Sequence, residues 1–171
     1  MSKRTKIMAL VGLMLVGAFV VFMGVGGFAV NTSADVTVNA GIPTTIQLTV
    51  DSPVDFGAAL APGETYASST TATVHSNKTW GMTVTADSLL TQGTFTIPST
   101  NLTYGVSSAN GKVKGMQAAG TEFVTTPGSS NVCSGSDRGG PEVLSINYSL
   151  TVPWDVEAGA YTATHTYTAT N

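Results

Sequence analysis

From about residue 44 onward the chain alternates apolar and polar residues with a period of two, and no stretch carries the 3.6-residue stripe of a helix. Ile46, Leu48 and Val50 share one face of PTTIQLTV, and Ala72 and Val74 one face of TTATVHS. Trp80, Met82 and Val84 do the same in TWGMTVTA, and Leu144, Ile146, Tyr148, Leu150 and Val152 in VLSINYSLTV. The last segment, AYTATHTYTAT, sets Tyr161, Ala163, His165, Tyr167 and Ala169 against a face made of Thr. Such alternation predicts strands with one buried and one solvated face. Threonine, β-branched yet polar, suits the wet side.

Turn signals separate these segments: Asp51-Ser52-Pro53, Ala61-Pro62-Gly63, Ala109-Asn110-Gly111, Pro127-Gly128 and Gly139-Gly140-Pro141. Short strands, frequent turns and no helical segment predict an all-β fold, an antiparallel β-sandwich over residues 43–171. Residues 106–142 give the weakest pattern. Two short strands, Lys112 to Met116 and Glu122 to Thr125, are expected there, among Gly- and Ser-rich loops.

Residues 1–34 belong to a leader. Lys3, Arg4 and Lys6 precede an uncharged run from Ile7 to Val30, and Thr32-Ser33-Ala34 supplies small residues before Asp35. This is the layout of a secretory signal peptide. The run is also long enough to cross a bilayer as an uncleaved hydrophobic helix. Either way residues 35–171 are expected outside the cell, with membrane contact through the leader alone. Beyond the leader four Lys and Arg face ten Asp and Glu. That balance argues against nucleic acid and anionic lipid as partners. Cys133 is the only cysteine, so no intrachain disulfide is available. Its surroundings, GSSNVCSGSDRGG, read as a loop holding a free thiol, with an intermolecular bridge as the alternative.

Both ends of the exported part bear on function. The last strand runs to Asn171. Residues 35–42 begin with a short alternating fragment in which Val36, Val38 and Ala40 share a face, followed by Gly41-Ile42-Pro43. The fragment is either the first strand of its own sheet or a donor strand for a neighbouring molecule's incomplete sandwich.

A resemblance bears on that choice. The stretch VDFGAALAPGETYASSTTATVHSNKTWGMTV, residues 54–84, resembles the TasA/camelysin family of biofilm matrix fibres and the archaeal bundling pilins. The carrying features are the turn of Leu60, Pro62, Gly63 and Glu64, then Val74 in a strand, then the turn at Asn77, all downstream of a leader and a short strand. The resemblance implies an immunoglobulin-like or jelly-roll sandwich whose N-terminal strand, here Val36, Val38 and Ala40, is donated to the adjacent subunit. Its partners would be copies of itself in a head-to-tail polymer. A type IV pilus does not fit, because the start of the mature chain lacks the charged pattern such pilins use. The expectation is a structural filament subunit of a biofilm or cell-adhesion fibre. The alternative is a monomeric surface-binding module or adhesin, held by an uncleaved leader.

Catalytic chemistry is sparse. His75 and His165 are the only histidines, each expected inside a strand, and His165 reads as a hydrogen-bonded packing residue. The acids are scattered; Asp155 and Glu157 alone fall short of the six to eight oxygens of a calcium site. No nucleophile elbow, phosphate loop or metal-spaced Cys/His set occurs, and neither a catalytic residue nor a cofactor is expected. Three sequons make Asn77, Asn101 and Asn147 candidate N-glycosylation sites, with Asn147 on the solvent face of its strand. Trp80 reads as core. Trp154, after Pro153, reads as half-buried packing, with a sugar-stacking platform as the alternative.

Overall fold

The structure is a computed structural model describing residues 36–51 and 53–171; the expected leader and Asp35 lie outside the described residues. The described residues up to Ala40 fall in a different unit from Gly41–Asn171.

The second unit is all-β and, among the described residues, contains no α-helix. Its strands are β1 (Ile46–Val50), β2 (Thr65–Ser76), β3 (Trp80–Ala86), β4 (Leu90–Gln92), β5 (Phe95–Ile97), β6 (Leu102–Ser107), β7 (Thr121–Glu122), β8 (Ser130–Ser136), β9 (Gly139–Thr151) and β10 (His165–Thr170). Every pairing between strands is antiparallel. One sheet has the order β1-β2-β9-β6-β7, a second the order β10-β3-β8, and β4-β5 is a separate hairpin.

The two larger sheets share one core, and the alternating positions fill it. Ala72 and Val74 of β2, Trp80, Met82 and Val84 of β3, and Leu144, Ile146, Tyr148 and Leu150 of β9 are all buried. Tyr104 of β6 ties the layers together, its hydroxyl donating to the Asn131 carbonyl of β8 at 2.5 Å. Trp80 Nε1 donates to the Asp137 carbonyl at 3.1 Å, so the largest buried side chain also holds the β8–β9 turn.

Five expectations are corrected. Cys133 is not in a loop; it lies in β8 and is fully buried. The register of β8 against β3 slips twice between Trp80 and Thr83, so Val132 and Cys133, adjacent in sequence, both face inward. Such a bulge breaks the alternation that marks a strand. Burial pushes the Cys133 thiol up, away from its reactive form.

Residues 112–116 form no strand. The segment follows β8 irregularly, its Lys112 and Lys114 carbonyls accepting from Asp137 N (2.9 Å) and Ser134 N (3.0 Å), and turns at Gly115, whose φ is +57°. Glu122 pairs in β7, but the strand does not extend to Thr125, which makes only an isolated bridge to Ala86. The last strand begins at His165 rather than near Tyr161: just before it Thr164 N donates to the Asp87 carboxylate at 2.8 Å, and Thr162 makes only an isolated bridge to Thr91. The fifth is Trp154, which is exposed.

Candidate assembly site

β2–β3 and β8–β9 turn over at the same end of the domain, since Ser76 pairs with Gly139 and Trp80 with Ser136. Residues 41–45 join the domain at this arm end. Asn77, in the β2–β3 turn, holds them: its Oδ1 accepts from Thr45 N at 2.9 Å and its Nδ2 donates to the Pro43 carbonyl at 2.7 Å. The Asn77 backbone N–H adds a bond to the Thr45 carbonyl at 3.3 Å, and Asn171 Nδ2 donates to the same carbonyl at 3.4 Å. The last residue of the chain and the root of the arm are therefore tied together.

Beyond that root, residues 36–45 carry no strand. Val36, Val38 and Ile42 are more than 80% exposed, at 84%, 86% and 83%. Three large apolar side chains within seven residues leave much apolar surface in water. Each would contribute about 1.5–3 kcal/mol if buried.

The domain's core is unfinished along one side. In β2 and β3 the inward residues Ala72, Val74, Met82 and Val84 have 0–1% exposure. In the outer strands beside them, β1 and β10, the corresponding residues Ile46, Leu48, Val50, Tyr167 and Ala169 are only half-buried. Val54, Phe56 and Leu60, which follow β1 without pairing into a strand, are also half-buried. β1 and β10 are edge strands of their respective sheets. Each presents unpaired backbone groups, a template for a further strand.

A cluster of titratable side chains lies in the core at the start of β10. Tyr148 Oη bonds His165 Nδ1 at 3.0 Å and Tyr167 Oη at 2.5 Å, and Phe123 packs on His165 with ring centroids 4.2 Å apart. Burial pushes the Tyr148 phenol up to about 12 and raises that of Tyr167 as well. Burial lowers the pKa of His165, opposed by the nearby charge of Asp87. The charged ring carries a hydrogen on both nitrogens, and no protein acceptor stands at Nε2. This is the hydrogen-bonded packing histidine that the pattern of the last strand predicts.

The sign of its pH effect follows. The unfolded chain protonates His165 near pH 6.5, the folded chain at lower pH, so its contribution is complete above pH 6.5 and is lost as pH falls through the folded value. Asp87, whose own pKa is lowered first by the Thr164 backbone hydrogen bond, keeps its charge in that window. Urea midpoints of the wild type should fall between pH 7.5 and 5, and His165→Gln should flatten that fall. An unchanged slope in the variant would place the proton uptake elsewhere.

The three sequon asparagines occupy different settings. Asn77 is committed to the arm root, and Asn101 Nδ2 donates to the Thr151 carbonyl at 3.0 Å. Asn147 stands exposed on the outer face of β9, its Nδ2 making only long contacts, 3.3 Å to Ser107 Oγ and 3.5 Å to the Ser145 carbonyl. Sequence reasoning found the sequons but not the clamp, because Pro43 is 34 residues from Asn77.

Trp154 is 80% exposed and not the half-buried residue expected. Its indole lies over the backbone of Gly63, where a Cβ would come within 2.7 Å of Nε1. The Pro62-Gly63 turn thus needs its glycine twice, for this contact and for a φ of +86°. Asp155 and Glu157 are exposed beside it, and among the described residues no three His, Cys, Asp or Glu side chains converge as a metal site would require. Nor, among those residues, is any helix long and apolar enough to cross a membrane. No protein-family model and no curated protein matches this chain.

Proposed function

We propose that the chain is the structural subunit of an extracellular filament, in a biofilm or cell-adhesion fibre, assembled by donor-strand exchange. In this reading residues 1–34 are removed on export, residues 43–171 fold as an immunoglobulin-like or jelly-roll sandwich, and residues 35–42 enter the next copy. One observation carries it: an exposed apolar arm, Val36, Val38 and Ile42, belongs to a domain whose core is half-finished along β1 and β10. The arm and the edge match in length, seven residues from 36 to 42 against the six of β10. The Asn77 clamp supports the reading by fixing where the arm departs. A glycan, where the host supplies one, belongs on Asn147, the most open of the three sequons.

Exposed Trp154 favours a second reading, a monomeric surface module that stacks a sugar ring on its indole.

Negative-stain electron microscopy of the chain beginning at Asp35, beside one beginning at Pro43, separates the two. Filaments from the first and dispersed particles from the second are expected. Monomers from both, equally stable to urea, would leave the arm as a tail and turn the reading to the surface module.

A further inference from the structure

Charge in this domain is sorted by end. All four Lys and Arg beyond the leader, Lys78, Lys112, Lys114 and Arg138, lie at the arm end or on the segment that follows β8 towards it. Two are committed: Lys112 to Glu142 (3.4 Å) and Lys114 to Asp137 (2.9 Å). Lys78 and Arg138 have no ion pair among the described residues, are exposed, and line one shallow cleft with His75 and Ile42. From mid-sheet to the far end stand Asp51, Asp55, Glu64, Asp87, Glu122, Asp155 and Glu157, all exposed. The same half holds no Lys or Arg among the described residues.

We propose that this sorting is the orienting device of assembly: the cationic cleft of His75, Lys78 and Arg138 on one copy seats the acidic Asp155–Glu157 loop of the next. The proposal rests on the filament reading and specifies its polarity. Two arm ends meeting would set cation against cation, and two far ends would set seven acids against seven, whereas arm end to far end is attractive. Such a contact is heterologous and does not close on itself. Chain direction agrees. The arm leaves the cationic end, so it reaches the neighbour at that neighbour's far end. From there, read from residue 36 to residue 42, it lies antiparallel to β10, which runs from His165 at the far half to Thr170 near the arm root. Antiparallel addition is the commoner and more stable pairing.

Charge reversal tests it, in the chain beginning at Asp35. Elongation from sonicated seeds, followed by light scattering, should slow at least about tenfold between roughly 20 mM and 500 mM salt, as steering is screened. Lys78→Glu with Arg138→Glu should slow growth by about tenfold or more at low salt, and so should Asp155→Lys with Glu157→Lys. All four changes together should restore self-assembly but give a chain that does not extend wild-type seeds. As a second measurement, the two double variants should co-sediment as assemblies when mixed although each alone does not.

Growth indifferent to salt and to both reversals would overturn the proposal. So would reversals that slow growth but are rescued neither by the fourfold variant nor by mixing; that pattern marks a cleft for a free anion. The filament reading fails separately. If the chain beginning at Pro43 loses assembly while charge reversal does nothing, the donated strand stands and the end-matching falls. If it still associates in a salt-sensitive way, the reverse holds. No association of the Asp35 chain at either salt overturns both.

Discussion

Trp80→Ala is expected to remove about 3–5 kcal/mol of stability, the range for truncating a large buried aromatic. Trp80 is 2% exposed, and it stands among residues of both sheets in the shared core. An alanine leaves a void lined by both sheets, and neither can collapse without shifting the other, so the cavity cost adds to the lost transfer energy. The indole N–H is lost too, leaving the Asp137 carbonyl without its 3.1 Å donor at the β8–β9 turn. With one cysteine, the domain has no disulfide to hold it, and such domains total only about 5–15 kcal/mol. Urea unfolding at pH 7.5 should therefore show roughly a fifth or more of the stability gone. Trp80→Phe, which keeps most of the volume but loses the N–H and part of the ring, should lose about 1–2 kcal/mol. A loss below about 1 kcal/mol for the alanine variant would mean that the sheets do not depend on the indole between them.

Trp80 was legible in sequence because it alternates with Met82 and Val84, and the same rule located β1, β2, β9 and the end of β10. It failed where pairing is irregular. β8 was hidden because a bulge turns Val132 and Cys133 inward together, which in sequence resembles a Gly/Ser loop. In β6 the run of Leu102, Tyr104 and Val106 is interrupted by Gly105, whose reason is not local. Residues 117–119 cross it so closely that a Cβ there would lie 2.6 Å from Ala119 Cα. A glycine needed for a distant backbone cannot be told, in sequence, from one that ends a strand. The arm was legible as an apolar alternation beside Gly41 and Pro43. The Asn77 clamp, the half-finished β1–β10 side and the sorting of charge were not, because each depends on segments brought together only by the sheet registers. Trp154 was misplaced for a similar reason: a tryptophan after a strand usually packs sideways, but here it stacks on a glycine turn and leaves its other face in water.

Glu142, which no sequence pattern singled out, carries the second large effect. It sits in β9 opposite Val74 with 1% exposure, its Oε1 3.4 Å from Lys112 Nζ and its Oε2 without a protein partner. Gly139 leaves the ammonium room, since a Cβ there would come within 3.2 Å of Nζ. Lys112→Met should cost about 2–4 kcal/mol, because it strands a buried carboxylate. The loss should fall at or below the usual range for a broken buried pair, since Lys112 is half in water and solvent can partly replace it. Glu142→Met alone should cost less, because the released ammonium can turn outward into solvent. The double variant should return close to the wild type or exceed it, since two apolar side chains need no desolvation of charge. Urea midpoints of the four proteins close the cycle, and additive losses would show that the two groups do not interact. A double variant at least as stable as the wild type carries a further consequence. A pair that adds nothing to stability, placed at the end that bears Lys78 and Arg138, neutralises an acid that would otherwise weaken the cationic cleft, and Lys112→Met should then slow filament growth as well as lower stability.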